Sequence, residues 1–355
     1  MNTNSQPSIR IGDRLIGNGE PVYVIAELSG NHGGSLERAL AFLEGAKQAD
    51  VDAVKIQVYT PDTITLNSDK PDFRIDAGNA WAAHRTLYEL YSVAYTPWEW
   101  LPQLFAKAAE LELELFGSVF DDSSVNLLEE LGARAYKIAS PEIADTGLLA
   151  RVARTGKPVI VSTGVADVAE IQQALCCLKH HGCEEIALLK CTTAYPTPPR
   201  DVHLATISHM AELFHCPVGL SDHTEGIGVP IAAAALGASL LEKHIKLNHE
   251  DETVDSFFSL TVEECRAMVI ELRRVEEAIG TVNYGLAPSA EQNAKGKRSL
   301  YVSAPIQQGE LFTEANIRSV RPGYGLAPVW KPQVLGRRAA VNLEIGDRID
   351  WETIQ

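Results

Sequence analysis

The sequence predicts an α/β protein, a closed (β/α)8 barrel followed by a small β-rich module. Short β-branched runs alternate with amphipathic stretches, the pattern of repeated βα units. Eight such runs fall within about 260 residues, the count and length of a closed barrel. The pattern then stops after Gly280.

The predicted strands are Val22–Ala26, Ala53–Val58, Leu115–Ser118, Ala135–Ile138, Val159–Ser162, Ile186–Lys190, Val218–Ser221 and Leu240–His244. Helical patterning fills the gaps at Leu36–Ala49, Trp98–Glu112, Val125–Leu131, Thr146–Thr155, Val168–His181, Leu204–Phe214 and Val229–Leu236, and a last long helix, Val262–Ile279, follows the eighth strand. An open doubly wound sheet would call for Gly-x-Gly-x-x-Gly after its first strand, and none is there. The connection from Tyr59 to Tyr95 mixes Pro, Asp, Asn and Gly with aromatic residues. Connections of that length usually wall or cover a substrate. Residues 1–280 are therefore read as the barrel and residues 281–297, rich in small and polar types, as a linker. Residues 298–355 alternate strand-like pieces (Ser299–Val302, Ala339–Val341) with turn signals such as Gln308-Gly309, in a module small enough to lean on a neighbour.

Hydrophobic residues make up 45% and charged residues 22% of the 355 residues, an ordinary globular balance. A net charge of −16 argues against nucleic acid as a partner, although a few lysines in a pocket still hold an anionic metabolite. The six cysteines form no CxxC pair and read as reduced thiols. The opening Met1–Gln6 is polar, without the basic start and apolar core of a signal peptide. No uncharged apolar run approaches the length of a membrane span. A cytoplasmic protein that engages no membrane is expected.

In a barrel, residues at the carboxyl ends of the strands face the chemistry. In strand order they are Glu27, Ser29, Asn31 and His32; Lys55 and Gln57; Ser118 and Asp121; Lys137, Ser140 and Glu142; Ser162 and Thr163; Lys190, Thr192, Thr193 and Tyr195; Ser221, Asp222 and His223; then Glu242, Lys243 and His244, with Asp255 beyond. Lys55, Lys137 and Lys190 with Ser140, Ser162 and Ser221 read as a cage for a polyanion such as phosphoenolpyruvate, which carries both phosphate and carboxylate. Glu27 and Glu142 are acid/base candidates, or else counter-ions to those lysines. His223 and His244, on neighbouring strands, can share a divalent ion. Two imidazoles completed by water and substrate oxygens suit Mn²⁺, or alternatively Mg²⁺ or Co²⁺, better than a closed Zn²⁺ site. His32 reads as a turn residue of Asn31-His32-Gly33-Gly34. Strand alternation turns Asp222 to the opposite face.

These residues stand in strings that together resemble one family. The strings are Ala26-Glu27-Leu28-Ser29-Gly30-Asn31-His32, Lys55-Ile56-Gln57, Tyr136-Lys137-Ile138-Ala139-Ser140, Val161-Ser162-Thr163-Gly164, Tyr195-Pro196-Thr197, Gly219-Leu220-Ser221-Asp222-His223-Thr224 and Glu242-Lys243-His244. The chain resembles the sialic acid synthases, from about Val22 to its end. Arg298-Ser299-Leu300-Tyr301 and Arg321-Pro322-Gly323-Tyr324-Gly325 resemble the SAF (antifreeze-like, β-clip) domain of that family.

The resemblance implies a TIM barrel that condenses phosphoenolpyruvate with an acetamido sugar. His223 and His244 would hold the metal. Lys55, Lys137, Ser140, Ser162, Tyr195 and Ser221 would grip phosphoenolpyruvate, with Thr193 standing where neuraminate synthases carry Asn. Glu27, Gln57, Glu142 and Asp255 would face the sugar and the reacting carbons. Arg321 would reach the sugar in the partner's barrel of a domain-exchanged homodimer. Tyr59-Thr60-Pro61-Asp62, Leu87-Tyr88-Glu89-Leu90-Tyr91 and Tyr95-Thr96-Pro97-Trp98-Glu99-Trp100 resemble the branch that uses a 2,4-diacetamido-2,4,6-trideoxy sugar. Other acetamido sugars remain open as substrates. So do a Schiff-base aldolase built on Lys190 and a sugar-binding scaffold without turnover.

Overall fold

Each of the eight β-branched runs forms a parallel strand, and the eight close into a ring. The computed structural model describes residues 7–17 and 19–355, so the opening Met1–Gln6 lies outside the described residues. The chain divides into two units, Met1–Gly280 and Thr281–Gln355.

The first unit begins with a hairpin of β1 (Ser8–Ile11) and β2 (Arg14–Gly17). This hairpin was not among the predicted strands, although Ile9, Ile11 and Ile16 alternate with polar residues around the turn Gly12-Asp13. The barrel strands are β3 (Tyr23–Glu27), β4 (Ala53–Val58), β5 (Glu114–Val119), β6 (Tyr136–Ile138), β7 (Val159–Ser162), β8 (Ile186–Cys191), β9 (Val218–Asp222) and β10 (Leu240–Lys246). Each pairs in parallel with the next, and β10 pairs with both β9 and β3, which closes the ring. A short β11 (Leu260–Thr261) pairs in parallel with Ile245 and Lys246 at the carboxyl end of β10.

Strand alternation sorts the side chains into two cores. Inside the ring, Tyr23, Ile25, Phe116, Ile160 and Leu240 pack with Ile9, Ile11 and Ile16 of the hairpin. The hairpin thereby plugs the end of the barrel away from the site. Each such buried side chain contributes about 1.5–3 kcal/mol. Outside the ring, Val24, Val54, Leu188 and Leu241 pack against the helices. One step further along each strand, the interior turns from apolar to polar.

The helices start where side chains can satisfy their free N–H groups. Ser35 caps Leu36–Gln48, and capping boxes begin Val168–His180 and Val262–Ile279. The predicted Val125–Leu131 is Asp122–Glu130, because the Asp121 carboxylate accepts from the N–H groups of Ser123 and Ser124. Asp121 is thus a helix cap and not a residue of the mouth. The predicted Trp98–Glu112 splits into a 3-10 turn, Trp98–Trp100, and the helix Leu101–Glu110. The long connection after β4 holds two short helices, Pro61–Ile64 and Leu87–Ala94.

The second unit pairs β12 (Ser299–Val302) with β13 (Ile317–Val320) over a core that includes Leu300, Ile306, Phe312 and Ile349. The predicted strand Ala339–Val341 does not form. Arg338 and Ala339 make single bridges to Leu311 and Ile354, and Val341 is 48% exposed, so the run has no continuous face to bury. Arg321 stands exposed just after β13. Among the described residues, no helix is long and apolar enough to cross a membrane. All six cysteines are free.

Candidate active site

The polar layer inside the ring is a charged network. Lys55 Nζ lies 3.1 Å from Glu27 and 3.2 Å from Glu242, and it donates to Ser118 Oγ at 3.2 Å. Ser221 Oγ donates to Glu242 at 3.0 Å. Across the barrel, Lys137 Nζ donates to Ser162 Oγ at 2.6 Å. Gln57 Nε2 donates to Glu27 and to Ser29 Oγ, both at 3.0 Å. Ser140 Oγ accepts from Gly164 N–H at 2.9 Å. A Cβ at Gly164 would stand 2.3 Å from Thr193 Oγ1 and 2.9 Å from Ser140 Oγ, so only glycine keeps this cradle of donors open.

Burial and neighbouring charge set the protonation of this network. Burial pushes Glu27 up to about 7 despite Lys55 beside it. Burial would raise Glu242 as well, but Lys137 and Lys55 outweigh it and hold that carboxyl at about 2. Lys137 is pushed down to about 8, again by burial. Glu142 sits higher in the mouth, and burial lifts it to about 7. The layer holds two lysines against one firmly ionised carboxylate, so it is poised for an anion.

Above the charges opens a cavity of about 450 Å³. Ser29, Gln57, Glu142, Thr193, Tyr195, His244 and Asp255 give it a polar side. Tyr59, Ile64, Trp81, Leu90, Tyr91 and Phe120 add an apolar lining. Trp81 is fixed there by donating its indole N–H to the Val254 carbonyl at 2.9 Å.

His223 and His244 face each other with ring centroids 5.3 Å apart, flanked by Tyr195 and Phe258. His223 Nδ1 lies 3.1 Å from the Thr192 carbonyl and so carries a proton toward it; burial alone would lower this imidazole's affinity for a proton, but Cys191 and that carbonyl outweigh it and raise it. His244 Nδ1 is buried with no partner, and burial drives that imidazole well below its usual range, hence neutral. Among the described residues, no group of three or more His, Cys, Asp or Glu is arranged to hold an ion. The chain offers an imidazole pair.

Of the residues singled out from the sequence, the structure brings together Glu27, Lys55, Gln57, Lys137, Ser140, Glu142, Ser162, Thr193, Tyr195, Ser221, His223, His244 and Asp255. Arg321 belongs to the second unit. Lys190 is a correction. Ala187 and Leu189 point into the ring, so Lys190 alternates outward with Leu188, where its amine bonds the Cys191 carbonyl and Thr192 Oγ1. It joins no cage and offers no amine to the cavity. His32 is a turn residue: its Nδ1 accepts from Gly34 N–H and its ring packs edge-on against Trp100.

Glu242 and Cys191 had no role assigned from the sequence. Glu242 stands two positions before His244 and Cys191 two after Leu189, so strand alternation alone turns both inward. Cys191 Sγ lies 3.9 Å from His223 Nδ1.

A closed barrel with this mouth defines an enzyme whose chemistry lies at the carboxyl ends of its strands. The chain belongs to the NeuB family, which residues 42–284 match, and residues 297–355 match the SAF domain. It is 44% identical to the pseudaminic acid synthase of Campylobacter jejuni strain 81-176, over 92% of this chain and 95% of that protein. The N,N'-diacetyllegionaminic acid synthase of C. jejuni strain NCTC 11168 is 31% identical, over 90% of this chain and 96% of that one. Among solved structures, the N-acetylneuraminic acid synthetase of Leptospira borgpetersenii in complex with citrate superposes with a TM-score of 0.71 at 29% identity, covering 81% of this chain and 95% of that one.

Proposed function

We propose that this enzyme makes pseudaminic acid. It joins phosphoenolpyruvate to 2,4-diacetamido-2,4,6-trideoxy-L-altrose, consumes a water and releases phosphate. One juxtaposition carries the reaction class: a buried lysine floor suited to a polyanion is joined, through Glu27 and Gln57, to a cavity lined by both polar and apolar side chains. The sugar is chosen on similarity, 44% to a pseudaminic acid synthase against 31% to a diacetyllegionaminic acid synthase. The apolar lining suits a 6-deoxy sugar with two acetyl groups, a property that the L-altrose compound shares with its D-manno counterpart and that N-acetylmannosamine lacks.

In this reading Lys55, Lys137, Ser140, Ser162, Tyr195 and Ser221 bind phosphoenolpyruvate, and Thr193 supplies a further hydroxyl. Gln57 and Asp255 orient the open-chain sugar. His223 and His244 hold a divalent ion, Mn²⁺ by preference. The neutral, unpartnered imidazole of His244 and the closeness of the His223 ring, 5.3 Å away by centroids, fit that use. When bound there, such an ion would supply Lewis-acid polarisation of the sugar aldehyde.

The C3 carbon of phosphoenolpyruvate forms the new bond to the aldehyde carbon, whose oxygen takes a proton from Glu27 or Glu142. Positive charge is left at C2. Glu27 or Glu142, each near neutral pH in its affinity for a proton, takes a proton from the water that adds to C2. The bond between C2 and the phosphate oxygen then breaks as the new C2 hydroxyl becomes the keto group and passes its proton to the departing phosphate, with Lys55 and Lys137 offsetting the phosphate charge. The 2-keto acid closes to a ring.

Arg321 completes the sugar site of a second copy in a domain-exchanged dimer. Residues 281–355 carry nine Lys and Arg against seven Asp and Glu in a chain of net charge −16, so this module is electrostatically suited to an acidic barrel. The enzyme works in the cytoplasm.

Phosphate release with three sugars tests the reading. The L-altrose compound should be used at least tenfold better, as kcat/KM, than its D-manno counterpart or N-acetylmannosamine, about 1.4 kcal/mol of discrimination. Preference for either of the others would overturn the sugar assignment.

A further inference from the structure

The outer face of β9 and β10 carries an ion pair that no step above uses. Asp222 and Lys243 are direct cross-strand partners, and each side chain is only 1% exposed. Lys243 Nζ lies 2.5 Å from Asp222 Oδ2 and also donates to the Thr224 carbonyl. Asp222 accepts from the Thr224 N–H and hydroxyl, both at 3.1 Å. Alternation puts both charges on the face opposite His223 and His244, toward the helix Val262–Ile279, whose buried Cys265 feels the Lys243 charge.

We propose that this pair positions the two histidines, setting their separation and thereby the affinity of the site for its divalent ion. The inference rests on the metal reading above. Asp222 and Lys243 each immediately precede a histidine, and they form the last register pair of the β9–β10 ladder. His223 has already left the strand. Its carbonyl accepts from Thr197 N–H at 2.9 Å, while on the other side its chain is held by the Asp222–Thr224 turn that Lys243 grips. Lower down, β9 and β10 approach so closely that a Cβ at Gly219 would stand 2.1 Å from the Leu240 carbonyl oxygen. The two strands thus run in close contact below and are joined by the ion pair at their carboxyl ends.

Stability does not explain the pair. Desolvating two ions offsets most of their attraction, and apolar residues of similar volume are commonly as stable. What they cannot do is bond a backbone carbonyl and fix a turn.

The test is Mn²⁺ affinity, measured by electron paramagnetic resonance of free Mn²⁺ on full-length, metal-stripped protein. Asp222→Leu with Lys243→Met removes both charges at similar volume. The melting temperature should hold, while Kd for Mn²⁺ rises about 10–100-fold, the usual effect of losing a group that orients a metal ligand. A folded double variant with parental affinity overturns the proposal. Should it fail to fold, Thr224→Val removes a single hydroxyl from the cluster and should still weaken binding several-fold; parental affinity there overturns the proposal equally. If the parent binds no Mn²⁺, or His244→Ala binds it as well as the parent does, the metal reading falls and takes this inference with it. A parent that binds through His244 and a double variant that matches it remove the positioning role alone.

Discussion

The floor and the wall of the cavity are built in opposite ways. The floor consists of charged side chains on strand ends, each fixed by register and by at least one charge-assisted bond, as with Lys55 between Glu27 and Glu242. The wall is a connection between strands that supplies Ile64, Trp81, Leu90 and Tyr91 through short helices and turns. Rigid strands deliver charge to within tenths of an ångström, which charge stabilisation in a transition state demands. Apolar contact with a sugar methyl tolerates looser placement. Hence the floor is expected to govern rate and phosphoenolpyruvate, and the wall to govern which sugar enters.

The largest effects should come from the floor and the imidazoles above it. Chelation should abolish turnover and Mn²⁺ should restore it; full activity after exhaustive chelation breaks the metal reading. His244→Ala should lower kcat by at least about a thousandfold, several kcal/mol of lost transition-state stabilisation, with the melting temperature little changed. Lys137→Met comes next. It should reduce kcat/KM for phosphoenolpyruvate by about a hundredfold or more, about 3 kcal/mol, while KM for the sugar moves little. Lys137 is pushed down to about 8 by burial, so phosphoenolpyruvate binding should weaken as pH rises past that value. A KM that stays flat up to pH 9.5 would separate Lys137 from the anion.

Glu142 gives an intermediate effect with a defined sign. If it is the base, kcat/KM should rise about tenfold per pH unit below its value of about 7 and then level off. Its folded value lies above the ordinary 4.5. Its contribution to stability is therefore complete below pH 4.5 and is lost as pH rises through about 7. Glu142→Gln should accordingly gain melting temperature relative to the parent at pH 8 but not at pH 4. A parental acidic limb retained by Glu142→Gln would pass the role to Glu27. The wall should respond more mildly. Leu90→Ala removes apolar contact and should raise KM for the deoxy sugar about tenfold, leaving phosphoenolpyruvate untouched. An equal effect on both substrates would merge floor and wall into one site.

How much of this could be read from residues alone follows the same division. All eight barrel strands were legible, because buried parallel strands are short apolar runs closed by turn residues. The floor was legible too, since a strand's inward positions follow from a period of two. That same period was misapplied at Lys190 and at Lys243, which stand near strand ends but on the outward phase. The wall was legible only as a long connection: no periodicity says that Trp81 will fold over Tyr195 at a centroid distance of 5.1 Å. The hairpin plug was missed although its alternation was present. The pairing of Asp222 with Lys243 needs the register of two strands 21 residues apart, which composition does not carry.

Lys190 supplies the smallest expected effect and the sharpest use of the comparison. Its amine makes two bonds, at 2.7 Å to the Cys191 carbonyl and 3.1 Å to Thr192 Oγ1, outside the ring. Lys190→Met should therefore cost about 1 kcal/mol of stability and change kcat/KM for either substrate by less than about twofold, since a difference that small corresponds to under half a kcal/mol. A Schiff-base aldolase using this lysine would instead lose its activity outright, and borohydride with a keto substrate would label Lys190 in the parent. The experiment thus discriminates between two residues that look alike in the sequence, Lys137 and Lys190, each near the carboxyl end of a barrel strand. Only the phase of the strand distinguishes them, so equal losses from Lys137→Met and Lys190→Met would break the assignment of inside and outside on which the floor depends.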